Sequence, residues 1–321
     1  MATVKPVATT SQPGSAEAVV PSGSAWHGVR RNETIAGYLF LLPNFLGFLV
    51  FSLFPILASF ALTLTDWNLI GERKFVGLDN FRRLLGDELF WKTARNTFYY
   101  TVAAVPAGVF IAFWLALLLN RQMRGVVFFR TIFFLPHVTL TVAIALVWAW
   151  IYHPELGLLN FGLSLVGIDG PRWLQSTAWA MPAVVIMSNW KGIGYAMLVF
   201  LAGLQAIPQD LVEAATVDGA SWFQRLRHIV VPLLAPTTFF ILVTSFIGAM
   251  QAFDQFYVMT QGGPAYSTTT LVMYVFQNGF QWFRMGYAAT VAVALFACIF
   301  AVTALQWRFG QAWVYGNEGA S

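Results

Sequence analysis

Six long apolar runs alternate along this chain with shorter polar segments: Thr34–Leu64, Thr97–Leu119, Phe129–Ile151, Trp179–Leu204, Pro232–Met259 and Met285–Trp307. A helix needs about 20 apolar residues to cross the hydrocarbon core of a bilayer, and each run meets that length. Backbone in lipid must satisfy its own hydrogen bonds, so such runs read as helices. The pattern predicts an all-α integral membrane protein with six transmembrane helices. Pro43 and Pro55 fall inside the first run and predict kinks there.

The segment between the fourth and fifth runs has a helical pattern of its own. Gln209 to Val217 is made of helix formers with no Gly or Pro, and Gly219 then offers a position tolerant of positive φ. Ser221 and Gln224 have capping-box spacing and open a second short helix, Trp222 to His228, bearing Arg225, Arg227 and His228. Pro232 begins the fifth run. The segment therefore reads as helix, tight turn and helix, tethered to the membrane at both ends.

The segment Thr65–Asn96 also looks folded. Phe75-Val76-Gly77-Leu78-Asp79-Asn80-Phe81 leads into Arg82–Asn96, where Phe81, Leu84, Leu85 and Phe90 are expected to share a helical face.

Composition agrees with lipid as the solvent. The chain is 58% hydrophobic and 10% charged, with a mean hydropathy of +0.66, whereas soluble domains carry about 25% charged residues. Its 13 Trp and 10 Tyr suit interfacial belts. Cys298 is the sole cysteine, which excludes an intrachain disulfide and a cysteine metal cluster. The net charge of +4 is small and dispersed, and does not point to nucleic acid. Residues 1–33 are rich in Ala, Ser, Thr, Val and Pro and predict a disordered tail, without the apolar core of a signal peptide. Residues 310–321 form a second tail.

Charge placement bears on orientation. With both termini cytoplasmic, Lys5, Arg30, Arg31, Arg121, Arg124, Arg130, Arg225, Arg227 and Arg308 lie inside. The loop Thr65–Asn96 is rich in cations but also holds Asp66, Glu72, Asp79, Asp87 and Glu88. With that loop set aside, only Arg172 and Arg284 remain outside, which favours cytoplasmic termini.

Glu213-Ala214-Ala215, Asp218-Gly219, Ile229 and Pro232 resemble in residue and spacing the EAA loop of importer-type ABC transporter permeases, with Val231 where Leu is usual. The separated pieces Arg95-Asn96-Thr97, Gly157-Leu158-Leu159-Asn160, Trp173-Leu174, Gly203 to Pro208, Gly262-Gly263-Pro264 and Thr268-Thr269-Thr270 are similar to carbohydrate-importing permeases of the maltose and glycerol-phosphate type. The resemblance extends over most of Thr34–Trp307. It implies a permease domain at 34–309 with a cytoplasmic EAA coupling helix-turn-helix at about 209–232, in the cytoplasmic (inner) membrane of a prokaryote.

The resemblance further implies an ATP-driven import pathway for a sugar or related solute, of which this chain forms half. The implied partners are a second permease, as a heterodimer or a homodimer, two ABC ATPase subunits and an extracytoplasmic sugar-binding protein. ATP and Mg would sit on the ATPases, and no cofactor is expected on this chain. An ion-coupled secondary transporter is the alternative, although the two halves lack the internal repeat such carriers usually show.

Polar groups within spans mark candidate pathway positions. Ser188, Asn189 and Lys191 lie in the fourth run, with Lys191 on the order of 12–18 Å from its outer end at 1.5 Å per residue. Thr244, Gly248, Gln251 and Gln255 are expected on one stripe of the fifth run, with Asp254 beside it. In the matching family the corresponding parts of these spans line the pathway. Trp190, Tyr195 and Phe253 could offer aromatic faces to a sugar. Lys191 is otherwise expected to pair with Asp254 or a carbonyl, and His137 reads more readily as a hydrogen-bonded core residue than as a functional one.

No enzyme chemistry is legible. No lysine follows a glycine, so a G-x-x-x-x-G-K-[ST] phosphate loop is absent from the sequence. The four histidines lack metal-binding spacing, and there is no G-x-S-x-G element.

Overall fold

The computed structural model describes residues 23–121 and 124–315, and the side chains of 34–121 and 124–310. Of the expected tails, 1–22 and 316–321 lie outside the described residues, whereas 23–33 and 310–315, also placed in the tails, are helical. The first helix as described begins at Gly23.

The chain divides into two units, at Met1–Ala58 and Ser59–Ser321. The first unit is helical: α1, Gly23–Phe48, runs through a π turn at Leu49–Leu53 into α2, Phe54–Leu62. Phe54 N–H reaches Leu49 O across that turn. The wider turn precedes Pro55, whose ring nitrogen cannot donate, and Pro43 is held within α1. The prolines therefore leave an uninterrupted apolar helix over Thr34–Leu62.

The second unit holds the last turn of α2, followed by a short antiparallel ribbon, β1 (Thr65–Asp66) on β2 (Lys74–Phe75). Helix α3, Asp79–Leu85, stops at Gly86, and Asp87 accepts Leu89 N–H at 2.9 Å to cap α4, Glu88–Leu119. The span thus begins well before Thr97. Apolar content marks only the lipid depth, while the capped polar turns ahead of it are equally helical. Leu84 and Phe90 are buried but Leu85 is 68% exposed, a correction to the single expected face. The stop at Gly86 breaks the helical register between them.

The run Phe129–Ile151 is not one straight crossing. Helix α5, Val126–Val138, meets α6, Thr141–Ile151, at 100°. Pro136 and the extended backbone at Thr139 and Leu140 separate them. After α7, Leu158–Ser164, comes the uninterrupted α8, Ala180–Gln205. Helices α9, Gln209–Val217, and α10, Trp222–Arg225, form the predicted helix-turn-helix. A π turn, Leu226–Val230, and α11, Val231–Leu233, lead to α12, Ala235–Met250, with a 62° bend between the Trp222–Leu233 arm and α12. Helices α13, Asp254–Met259, α14, Leu271–Phe276, and α15, Met285–Tyr315, complete the chain.

Four stretches, Thr34–Leu62, Glu88–Leu119, Ala180–Gln205 and Met285–Gly310, are long and apolar enough to cross a membrane. Counting each bent pair as one crossing raises the number to as many as six.

Small residues set the packing of α4 on α8. Ala112 and Ala116 are fully buried against a cluster containing Met197 and Phe200, and Ala104 and Ala183 belong to a second cluster with Tyr152 and Phe256. Without a hydrophobic drive between helices in lipid, such close approach supplies van der Waals contact. Gly194 does the same for α8 on α5, since a Cβ there would lie 2.0 Å from Phe133 O.

The separated motifs act as brackets at one end of the unit. Asn160 donates to Pro154 O and Pro171 O, and its Oδ1 accepts Trp173 Nε1–H at 2.7 Å. Asn96 donates to Tyr266 O and Thr269 O, while Thr97 Oγ1 accepts Leu271 N–H at 2.8 Å. Thr268, Thr269 and Thr270 bond Gly263 O, Gly262 O and Ala252 O respectively.

Candidate solute pathway and coupling helices

A cavity of about 320 Å³ lies where α4, α5, α8 and α12 meet. Tyr100 and Gly108 come from α4, His137 from α5, Ser188, Asn189 and Tyr195 from α8, and Thr244 and Gly248 from α12. On α8, Ser188 is eight residues from the start, about 12 Å along the axis.

Polar contacts fix its walls. Tyr100 is buried; its hydroxyl lies beside Ser188 and accepts Gln255 Nε2–H at 3.1 Å. Its ring meets Phe256 edge-on with centroids 4.9 Å apart. His137 and Tyr195 stack at 5.0 Å and 18°. Lys191 does not line the cavity but donates to His137 O at 3.3 Å, the carbonyl option of the two expected. No ion pair joins it to Asp254 among the described residues.

The structure brings together part of the predicted set. Ser188 and Asn189 line the cavity, and Gln255 reaches its wall through Tyr100. Gln251 and Asp254 lie off the lining and are exposed. The expected stripe fails because α12 ends at Met250, so Thr244 and Gly248 are on a different helix from Gln255. Tyr195 is at the cavity, whereas Trp190 faces Trp148 at 5.5 Å in a separate apolar cleft, and Phe253 stacks on Tyr257 at 5.3 Å. Sequence reading missed Tyr100 and Gly108, and it set His137 aside. The i, i+4, i+8 series Tyr100, Ala104, Gly108 on α4 was the available signal.

The segment between α8 and α12 is built as its caps predict. Pro208 ends the chain's exit from α8, and α9 carries Glu213, Ala214 and Ala215. Asp218 N–H bonds Ala214 O at 3.0 Å and Ala220 N–H bonds Ala215 O at 2.9 Å around Gly219, whose φ is +81°. That arrangement closes the helix with the left-handed residue such caps require. Both capping-box bonds form: Ser221 N–H to Gln224 Oε1 at 2.7 Å, and Gln224 N–H to Ser221 Oγ at 3.4 Å. Arg225 then clasps the two helices, donating to Thr216 Oγ1 at 2.9 Å and Ala220 O at 3.0 Å.

Ile229 sits in the π turn ahead of Pro232, where Val231 N–H reaches Leu226 O. Glu213, Ala214, Asp218 and Gly219 are exposed, and so are the apolar Val217 at 88% and Phe223 at 61%. Trp222 returns the segment to α4, its ring 6.5 Å from that of Trp114.

A helical membrane protein with a cavity lined by both polar and apolar groups, whose lining helices run on into an exposed helix-turn-helix, is by class a solute permease. The chain belongs to the binding-protein-dependent transport system inner membrane component family, whose pattern matches residues 96–314. It is similar to the probable ABC transporter permease protein YesP of Bacillus subtilis, 37% identical over 290 residues covering 89% of this chain and 93% of that one. It is also similar to the trehalose/maltose transport system permease protein MalF of Thermococcus litoralis, 34% identical over 284 residues covering 88% and 96%.

Among solved structures, the fold matches a chain of a bacterial alginate ABC transporter in complex with alginate pentasaccharide-bound periplasmic protein. The TM-score is 0.79 at 23% identity, over 90% of this chain and 98% of that one. The protein is thus an integral membrane permease subunit of an ABC importer, a transport component rather than an enzyme. These likenesses give no support to ion-coupled transport.

Proposed function

We propose that this chain forms half of the membrane pathway of an ATP-driven importer for a sugar or related solute. The observation that carries the reading is continuity. Helix α8 lines the cavity and leads across Pro208 into α9, and α10 leads through α11 into α12, which lines it too. Movement imposed on the exposed helix pair is therefore delivered to two of the helices that line the cavity, the requirement for alternating access.

In this reading the chain crosses the cytoplasmic (inner) membrane of a prokaryote six times, with the two bent pairs each making one crossing. Both termini and the coupling helices are cytoplasmic. Two ABC ATPases, which hold ATP and Mg, dock against Glu213, Ala214, Ala215, Asp218 and Gly219, while Ile229 and Pro232 set the return to the membrane. A second permease, a distinct sibling or a second copy, supplies the other half of the pathway. An extracytoplasmic binding protein delivers the solute to the opposite end.

The solute class is supported by the relative named for trehalose and maltose and by the neighbour solved with an alginate-bound partner. The cavity suits it: hydroxyl and amide groups on Ser188, Asn189 and Tyr100 share a wall with the Tyr195 ring. Lys191, Gln251, Asp254 and Gln255 flank the pathway in this reading and come closer to the solute in other states of the cycle.

Capture of the tagged chain from native membranes in mild detergent, with partners identified by mass spectrometry, tests the assembly. Recovery of an ATPase and a permease partner is expected. Recovery of the chain alone, still competent for uptake in proteoliposomes without ATP, would overturn the reading.

A further inference from the structure

A second cavity, of about 420 Å³, opens beyond the first on the same two helices. Lys92, Arg95, Asn96 and Tyr99 of α4 line it, facing the start of α8 at Met181 and Pro182. Asn96 begins the i, i+4 stripe that continues through Tyr100, Ala104 and Gly108 of the inner cavity. On α8, Met181 and Pro182 lie seven residues before Ser188 and Asn189, two helical turns on the same face. The two cavities are therefore stacked along one α4–α8 groove, roughly 10 Å apart along the axis.

The outer cavity is cationic. Lys92 and Arg95 both line it, no carboxylate does, and neither cation forms an ion pair among the described residues. Lys92 is held in place by one bond to Ala265 O at 2.8 Å, which leaves the rest of its ammonium free to donate. Arg95 is exposed, with its guanidinium fork open. The loop that supplies Ala265 is fixed in turn by Asn96, and Ala265 and Tyr266 adopt φ of +49° and +58°, a strain that persists only where surroundings enforce it.

We infer that this outer cavity is a first-contact site for a solute bearing a carboxylate or similar anionic group, which it holds before passage into the inner cavity. The inference rests on the reading above that this end of the bundle faces outward. A space of this size holds a sugar ring as well as its acidic group, and two cations without an ion-pair partner attract a carboxylate by charge as well as by hydrogen bonding, whereas the hydroxyls of a neutral sugar accept hydrogen bonds alone.

The test is isothermal titration of the assembled importer in lipid nanodiscs, without ATP, using galacturonate and galactose as probes. Galacturonate is expected to bind more tightly than galactose and to weaken as salt rises. Lys92→Gln with Arg95→Gln should lower galacturonate affinity on the order of tenfold and galactose affinity by much less. The charge-keeping pair Lys92→Arg with Arg95→Lys should retain most of the affinity.

Equal binding of the two probes, or galacturonate binding untouched by the glutamine pair, overturns the site. Failure of galacturonate to bind, with the glutamine pair weakening only capture of the binding protein, also overturns it, because the anion then belongs to that protein. ATP-driven uptake by the same unmodified protein in proteoliposomes tests the importer reading separately.

Discussion

Tyr274 donates its hydroxyl to Oδ2 of Asp87 at 2.6 Å, a bond between residues 187 positions apart. Tyr287 donates to the same oxygen, so one carboxylate ties the start of α4 to α14 and α15. Burial raises the Asp87 carboxyl, but hydrogen bonds from both tyrosines and from the backbone at Leu89 and Phe90 outweigh it and hold it below its ordinary 3.8. Tyr274 is pushed up to about 12, by burial first and then by Asp87, and stays a donor at neutral pH.

The sign of the pH effect follows. Asp87 is depressed in the fold, so its contribution is complete above the unfolded value near 3.8 and is lost as pH falls through the lower folded value. Asp87→Asn should cost about 1–2 kcal/mol after discounting for partial exposure. Thermal unfolding in detergent at neutral pH reads this as a lowered midpoint, and the variant's difference from the parent should shrink on acidification below pH 4. An unchanged midpoint would show that the two tyrosines do not need the charge.

Asn160 joins three parts of the segment before α8 through its amide and its bond to Trp173. Asn160→Ala should remove about 1–3 kcal/mol locally, because Pro154 O, Pro171 O and the indole N–H lose their partner together. Limited proteolysis between residues 154 and 172 should accelerate. Trp173→Phe, which removes the indole bond and part of the packing on Tyr152 and Trp179, should accelerate cleavage as well.

The parts of this architecture that were legible in sequence are those fixed locally. The Gly219 turn, the Ser221–Gln224 box and four of the six apolar runs each depend on a few neighbouring residues, and the structure reproduces them. What was not legible depends on distant partners. The 100° break at Thr139 and Leu140 follows a proline that sequence alone allows inside a helix, and the end of α12 at Met250 separates residues whose spacing suggested one stripe. The cavity set was half visible for the same reason. Ser188 and Asn189 stand out as polar residues in a span, whereas Tyr100 and Gly108 matter only because α4 lies against α8.

Gly219 allows its turn strain to be separated from contact with a partner. A Cβ at this position meets nothing within 4 Å inside the chain, so a side chain here projects into open space. Its φ of +81° disfavours Ala by about 1 kcal/mol, and Asn tolerates the left-handed region better. If the exposed face docks an ATPase, Gly219→Asp and Gly219→Asn should both abolish ATP-driven uptake while inserting normally, and Gly219→Ala should be milder. Arg225→Ala, which releases Thr216 and Ala220 O, should leave ATP hydrolysis running with uptake reduced several-fold. Normal uptake by Gly219→Asp would remove this segment from the coupling mechanism.

Gly108 and Asn189 face each other across the inner cavity: a Cβ on Gly108 would lie 2.8 Å from Asn189 Oδ1. That is the end of a side chain rather than backbone, so Gly108→Ala should fold with Asn189 turned aside, at a stability cost of at most about 1 kcal/mol. If Asn189 bonds the solute, displacing its amide oxygen removes a hydrogen bond that a hydroxyl-rich ligand uses, and the Michaelis constant for uptake should rise about tenfold. Stimulation of the ATPase by saturating loaded binding protein should persist, because the helices that carry the coupling segment are unaltered. Asn189→Ala should raise the constant to a similar degree, and the double variant should be no worse than either single change, since both act on one contact. Additive losses would place Gly108 and Asn189 in separate roles and assign the cavity's specificity to Ser188, Tyr100 or the stacked pair His137 and Tyr195.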